Sequence, residues 1–181
     1  MRGRGVAQVV AVCSLAAAAA AAGSGAASGW PGPQRPCVAP TAFGVLPTWA
    51  RAGFSSPRPR LPHVIGRGGE IAALLFGYPL ASPPAARRNN KILWVSRSAP
   101  AHPTALWIRA QRMVGARAVG RPVTRLVQGG PGPSIVNLPA AGCWRLRLAW
   151  AGRTDTLDLR YRAPSKAEDA RPGETVTSPP S

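Results

Sequence analysis

Acidic residues are scarce in this chain of 181 residues, which holds six Asp and Glu against 23 Lys and Arg. Only Glu70, Asp155 and Asp158 fall in the part that has the pattern of a folded domain. Asp155 and Asp158 are three apart on a strand-like run, so they point to opposite faces of a sheet and do not form the carboxylate pair that acid–base catalysis uses. We therefore expect these acids to pair with arginines at the surface.

Other catalytic and metal-binding patterns are also missing. The sequence has no Cys-x-x-Cys pair, and His63 and His102 lie in proline-flanked stretches without zinc-ligand spacing. Neither Ser96 nor Ser134 sits in a Gly-x-Ser-x-Gly elbow. The glycine-rich runs GRGG and QGGPGP lack the lysine of a phosphate loop, so we interpret both as turns. These observations predict a protein that is not an enzyme and that has no cofactor or metal site.

The positive charge is large and almost entirely arginine. The formal net charge is +17, and only Lys91 and Lys166 are lysines. Such a charge attracts nucleic acid, anionic lipid head groups or acidic polymers. Arginine, alanine, glycine and proline are enriched together, however, as in proteins from GC-rich coding sequence. Compositional drift and a selected anionic partner both remain open as explanations.

The first 28 residues have the layout of a secretory signal peptide. Arg2 and Arg4 precede a mildly hydrophobic run over 6–22, and the small residues AGSGAAS follow. The run is shorter than the roughly 20 apolar residues of a membrane span. We predict cleavage near Ala27 and a secreted or extracytoplasmic location, with an uncleaved membrane anchor as the alternative.

Removal of the signal would take Cys13 with it and leave two cysteines, Cys37 and Cys143. An even number of cysteines in an oxidising compartment indicates a disulfide. The bond would close a loop of roughly 105 residues, for which the chain-entropy model gives about 4 to 5 kcal/mol of stabilisation. We therefore predict a structural Cys37–Cys143 disulfide.

The rest of the chain divides into three parts. Recurrent prolines over 29–62 exclude regular helix and predict an extended linker. Residues 63–163 contain short apolar runs between turn signals, which is typical of a small β-domain. Residues 164–181 have almost no apolar side chain and predict a disordered tail. Strands are expected within 70–80, 91–97, 104–113 and 134–138.

The end of the domain has the clearest strand pattern. From Trp144 to Trp150 the side chains alternate between apolar residues and the arginines Arg145 and Arg147, which predicts a strand with one wet face. AGR forms a turn, and the return strand brings Asp158 across from one of these arginines. Six or seven such strands predict an all-β fold, a single antiparallel β-sandwich of immunoglobulin-like type.

Four stretches, LPAAGCWRLRLAWAG, RTDTLDLRYR, GEIAALLFGYPL and NKILWVSR, carry a resemblance to known proteins. In them the chain resembles a group of uncharacterised secreted or membrane-attached bacterial proteins, typical of high-GC Gram-positive genomes, that end in a Gly-Cys-Trp strand and its hairpin partner. The resemblance covers 66–162, and its most specific piece is Gly142, Cys143 and Trp144. It implies an extracytoplasmic β-domain and names no activity.

The basic residues are the candidate contact set for a partner. They are Arg87, Arg88, Lys91, Arg109, Arg112, Arg145 and Arg147. If they converge on one surface, they suit an anionic cell-envelope polymer or lipid head groups, bound through charge-assisted contacts; the alternative is that they only solvate the sheet. A binding or scaffolding module of this kind is the leading hypothesis. A nucleic-acid-binding basic protein is the alternative if the chain is not exported.

Overall fold

The computed structural model describes residues 36–99, 102 and 104–165. The predicted signal peptide 1–28, the first part of the predicted linker at 29–35 and most of the predicted tail, 166–181, lie outside the described residues. Within the part that is described, no helix has the length and apolar character that a membrane span requires.

The described residues form two antiparallel sheets that pack face to face, so the predicted all-β sandwich is confirmed. One sheet has the order β1-β2-β3-β4-β7 and the other β6-β5-β8-β9. A 3-10 turn at Thr48–Ala50 lies between the first two strands. The strands are β1 Ala42–Val45, β2 Arg60–Ile65, β3 Ile71–Leu75, β4 Lys91–Ser96, β5 Leu106–Val114, β6 Arg117–Val127, β7 Pro133–Ile135, β8 Gly142–Trp150 and β9 Arg153–Tyr161.

The strand order follows the immunoglobulin arrangement. In that fold the strands A-B-E lie in one sheet, and C′-C-F-G lie in the other of a variable-type domain. Here β3-β4-β7 take the first set of places and β6-β5-β8-β9 take the second, with β1 and β2 added beyond β3. The connection from β6 runs directly to β7, so the described chain has no counterpart of strand D.

The main core lies between the sheets. Apolar side chains of β3 and β4 face those of β5, β8 and β9, and three tryptophans are among them. The indole N–H of Trp94 donates to the Ser134 hydroxyl at 2.9 Å, and that of Trp150 donates to the Ser96 hydroxyl at 3.0 Å. Buried indole groups need such partners, so these bonds permit the rings to be buried.

Strand β3 is buried on both faces, as its continuous apolar sequence IAALL predicts. Its outer face, at Ala72 and Leu74, is covered by a second cluster that includes Leu46 and Ala50. Trp49 and Phe54 pack on the same cluster. The proline-rich region thus supplies a cover for the first sheet.

The predicted linker at 29–62 is therefore wrong over its described part. Strand β1 and the start of β2 lie inside it. Proline excludes helix, but it is tolerated where a ladder lacks a hydrogen bond. Pro62 pairs with Phe43 of β1 and lies one residue before the first β2–β3 pair, between His63 and Leu74. The domain begins earlier than residue 63 for this reason.

The other strands agree with the sequence patterns in different degrees. Strands β3 and β4 lie in the predicted stretches, and β5 extends one residue past the predicted 104–113. Strands β8 and β9 form the predicted hairpin. The short strand expected at 134–138 is found at Pro133–Ile135, one residue earlier and two shorter. Val136, just after β7, is held by two other contacts: its carbonyl accepts from the Tyr161 hydroxyl at 2.7 Å, and its N–H donates to the Asn90 carbonyl at 3.1 Å.

The predicted disulfide between Cys37 and Cys143 is present, with Cα atoms 6.2 Å apart. Cys143 is the second residue of β8. Residues 36–38, which we call the leader segment, are held against this end of the second sheet. The Cys37 N–H also donates to the Gly115 carbonyl at 2.8 Å, in the β5–β6 turn.

Candidate functional site

The outer face of the second sheet carries a row of polar residues that crosses all four strands. Arg109 of β5 lies opposite Thr124 of β6 on one side and Arg147 of β8 on the other. Arg147 in turn lies opposite Thr156 of β9. Directly paired residues share a face of the sheet, with Cβ atoms about 4.5 to 5.5 Å apart. We call Thr124, Arg109, Arg147 and Thr156 the arginine row; both of its arginines are exposed.

An aromatic side chain borders the arginine row. Trp107 is two residues before Arg109 on β5, so the two side chains point to the same side. Its cross-strand partners are Leu126 and Ala149. Trp107 is 55% exposed, although tryptophan usually lies largely buried. The outer face therefore offers two guanidinium groups, two hydroxyls and an indole side by side.

On the opposite side of the arginine row the sheet is covered. Gln111 and Arg145 are cross-strand partners on the outer face, and both are buried. The leader segment lies over this end of the sheet, where Val38 donates its N–H to Asp158 Oδ2 at 3.1 Å. The covered end therefore separates the arginine row from the disulfide.

Arg145 is committed to an internal ion pair. Its Nε and Nη2 donate to Oδ1 and Oδ2 of Asp158 at 2.9 and 3.1 Å. Arg67 adds a third guanidinium contact, from Nη2 to Asp158 Oδ2 at 2.7 Å. The predicted pairing of Asp158 with an arginine across the hairpin is confirmed, but its expected surface location is wrong, because Asp158 is 2% exposed. The prediction that Arg145 lies on the wet face as a contact residue is wrong, because the leader segment covers it.

Asp155 differs from the surface role expected for it. It lies opposite Leu148 and Asp158 lies opposite Arg145, so the prediction that the two acids point to opposite faces is confirmed. The Asp155 carboxylate is buried and accepts backbone N–H groups of Gly68, Glu70 and Thr156 at 2.7 to 2.9 Å. The expected pairing of Asp155 with an arginine is wrong, because backbone N–H groups of the GRGG turn and Glu70 occupy both oxygens of this carboxylate.

The remaining predicted contact residues do not join the arginine row. Arg112 is the cross-strand partner of Trp144, whose ring faces the core. The Arg112 guanidinium lies beside Gly142 at one end of the sandwich. Arg87, Arg88 and Lys91 lie in the first sheet's β3–β4 connection and at the start of β4. The seven predicted residues therefore fall in separate places, and two of them, Arg109 and Arg147, form a row.

The end of the first sheet near Lys91 carries a second surface. Phe43, Phe76 and Tyr78 are 65%, 52% and 37% exposed. Phe43 and Tyr78 meet edge to face with ring centres 5.1 Å apart, and Lys91 Nζ lies 5.9 Å from the ring centre of Phe76. Phe54 lies parallel to Phe76 with ring centres 6.4 Å apart. We call Phe43, Phe54, Phe76 and Tyr78 the aromatic end.

An open groove of about 460 Å³ runs along the aromatic end. It is lined by Phe54, Ser56, Arg58, Pro59, Arg60, Leu61, Pro62, Leu75 and Phe76. Sequence patterns did not indicate this surface, because its rings come from the supposed linker and from the end of a buried strand. The signal that was available is the run Phe76-Gly77-Tyr78, where two aromatic residues follow the last buried residue of β3.

Comparison of the chain with protein-family models, curated proteins and solved structures finds no significant match. The likeness to immunoglobulin domains accordingly rests on strand order alone. The resemblance to secreted proteins with a Gly-Cys-Trp strand stays a prediction. Conclusions about function depend on the chemistry of the arginine row and the aromatic end.

Proposed function

We propose that the protein is an extracytoplasmic, non-catalytic binding module that holds the phosphate or carboxylate groups of an anionic cell-envelope polymer or lipid on the arginine row. The observation that carries this proposal is the placement of Arg109 directly opposite Arg147 on the exposed outer face. Two guanidinium groups side by side on one face can both donate charge-assisted hydrogen bonds to a single oxyanion.

The neighbours of the two arginines suit the same ligand. Thr124 and Thr156 place a hydroxyl at each end of the row, and hydroxyls donate to phosphate or carboxylate oxygens. Trp107 adds an apolar ring face beside the charges. A polymer with regularly spaced anionic groups and apolar ring or chain surface between them matches this arrangement better than a single small ion does.

The commitments of the acids support a non-catalytic module. Asp155 accepts three backbone N–H groups, and Asp158 binds Arg145, Arg67 and Val38. A carboxylate saturated in this way is held in place by the fold and is not available for proton transfer at a surface. Both acids therefore have a structural explanation.

Two observations support an extracytoplasmic location. Stable disulfides are formed in oxidising compartments and are rare in the cytosol, and this fold contains one between Cys37 and Cys143. Residues 1–28 have the layout of a secretory signal peptide, which also favours export. An envelope polymer or the outer lipid surface is the source of anionic groups that such a protein meets.

The test compares R109Q/R147Q with R117Q/R121Q, a control of equal charge change on exposed residues of edge strand β6. The probes are a soluble polyphosphate, a soluble polyuronate, vesicles containing phosphatidylglycerol, and single-stranded DNA. We expect the wild type to bind a polyanion in a salt-sensitive way. Loss of two charge-assisted contacts should lower affinity about tenfold or more in R109Q/R147Q.

The outcome identifies the ligand source or overturns the proposal. A loss in R109Q/R147Q for a soluble polymer supports an envelope polymer, and a loss for vesicles alone supports a lipid head group. Equal losses in both double variants would show that net charge alone drives binding and would sink the assignment of the row. Tightest binding to DNA, lost in R109Q/R147Q, would replace the proposal with the nucleic-acid alternative.

A further inference from the structure

We propose that the aromatic end of the first sheet is a membrane-contact surface that seats the domain on an anionic bilayer. This inference goes beyond the arginine row, because it uses the other sheet and different side chains. It starts from the exposure of Phe43, Phe76 and Tyr78, which is 65%, 52% and 37%. Exposed apolar residues scattered singly need no explanation, whereas a contiguous cluster marks an interaction site.

These rings form two contacting pairs that come from three segments of chain. Phe43 belongs to β1, and Tyr78 to the β3–β4 connection, yet their rings touch edge to face. Phe76 lies parallel to Phe54 of the segment before β2. The first sheet therefore brings side chains that are distant in sequence into two ring pairs near one of its ends. Phe54 also packs on the second cluster, whereas the exposed rings of Phe43, Phe76 and Tyr78 belong to neither core cluster.

Cations surround the rings. Lys91 lies over the ring of Phe76, and Arg58 and Arg60 line the groove beside it. The Arg88 guanidinium reaches the Tyr78 carbonyl at 3.4 Å. Phenylalanine and other apolar side chains with lysine and arginine beside them are the combination found in segments that lie in an anionic membrane interface.

The acids of the described part lie elsewhere. Glu70 pairs with Arg153 at 3.1 Å, and Asp155 and Asp158 are buried along β9. The aromatic end is therefore complementary to a negatively charged surface. A second copy of the chain is a poor occupant, since a net charge of +17 opposes self-association through a basic surface.

The test measures partitioning of the full chain onto vesicles of phosphatidylcholine with and without phosphatidylglycerol. F76S is compared with V114S, which removes an apolar side chain that is 62% exposed at the end of β5. We expect wild-type and V114S protein to bind the anionic vesicles equally, and F76S to bind about tenfold more weakly. R60Q/K91Q should weaken binding by roughly 25-fold, at about fivefold for each cation removed. Thermal unfolding checks that each variant is folded, and F43S serves as a second aromatic variant.

Several results would overturn the inference. Wild-type binding of the anionic vesicles by both F76S and F43S would overturn it, and so would a loss in V114S as large as that in F76S. If F76S lost binding to a soluble polyanion as strongly as to vesicles, the surface would belong to a polymer. If the wild type were a dimer and F43S a monomer, the surface would belong to a second copy of the chain. The proposal for the arginine row has separate variants, R109Q/R147Q, so either proposal fails without the other.

Discussion

Asp158 lies directly opposite Arg145 in the β8–β9 hairpin and binds both Nε and Nη2 of its guanidinium, at 2.9 and 3.1 Å. The same carboxylate accepts a hydrogen bond from Arg67 in the β2–β3 turn and one from the Val38 N–H of the leader segment. One buried side chain thus joins four parts of the chain. The leader segment, the first sheet's turn and both strands of the hairpin meet at this point.

Substitution D158N should destabilise the fold by about 3 to 5 kcal/mol, because it leaves the buried Arg145 without its counter-charge. The control is E70Q, which removes the exposed pair between Glu70 and Arg153. Exposed pairs contribute about 0 to 1 kcal/mol. Urea unfolding of both variants at neutral pH measures the difference. Equal small effects would show that Arg145 finds water or another acceptor when Asp158 is neutralised.

Replacement of both cysteines, C37S/C143S, should lower the free energy of unfolding by about 4 to 5 kcal/mol in the chain-entropy model. The two cysteines are 106 residues apart, so the bond restricts most of the unfolded domain. Urea unfolding of the double variant, beside wild-type protein under reducing and non-reducing conditions, gives the measurement. The reduced wild type should match the variant, and a loss below about 1 kcal/mol would contradict the entropic account.

G66A should destabilise the fold by about 1 to 3 kcal/mol through overpacking. A Cβ at residue 66 would overlap the Asp155 carboxylate, which cannot move away without releasing the backbone N–H groups that it accepts. G44A is the matched control, since nothing lies within 4 Å of a Cβ there. We expect G44A to change stability by no more than about 0.5 kcal/mol. Thermal or urea unfolding separates the two, and equal stabilities would show that Asp155 has room to shift.

Stability should fall at alkaline pH because of Tyr161. Burial raises the pKa of the Tyr161 phenol above its usual range, and the nearby charge of Arg125 lowers it only in part. Because the pKa of Tyr161 is higher in the folded state than the unfolded value of about 10, the neutral phenol favours the folded state. That contribution to stability is complete below about pH 10 and is lost as the pH rises further.

Y161F should therefore reduce the fall in unfolding free energy above about pH 10. At neutral pH the variant should lose about 1 kcal/mol, the net value of the hydrogen bond to the Val136 carbonyl. Y78F, at an exposed tyrosine, is the control for removal of a phenol hydroxyl, and at neutral pH it should change the free energy of unfolding by no more than about 0.5 kcal/mol. Urea unfolding midpoints measured below and above about pH 10 test the prediction. If the fall in stability at alkaline pH is the same in Y161F as in the wild type, other groups cause it.

Alternation within single strands was enough to assign faces. The patterns at Trp144 to Trp150 and around Asp158 placed the right residues inward and outward, because side-chain direction in a strand is a local property. The cysteine count likewise led to the Cys37–Cys143 bond. Each of these predictions needed only neighbouring residues or a pairing with a single solution.

Such patterns could not predict whether another segment of the chain covers an outward face. Arg145 points outward as expected, yet it is buried because the leader segment crosses over it. Gln111 is also buried on this face, where its side-chain amide donates to the Val119 and Gly120 carbonyls of β6. The aromatic end depends in the same way on β1 lying close to the β3–β4 connection. These are contacts between segments far apart in sequence, and in a β-sandwich such non-local pairings carry most of the structure.

The position of the disulfide determines how the domain would bear a mechanical load. Cys37 precedes β1 and Cys143 is the second residue of β8, so strands β1 to β7 all lie inside one covalent loop. A force applied between the two ends of the chain would pass from Cys37 across the sulfur bridge into β8 and leave through β9. The first seven strands would be shielded from that tension. These strands and their connections carry the whole aromatic end and the β5 and β6 residues of the arginine row.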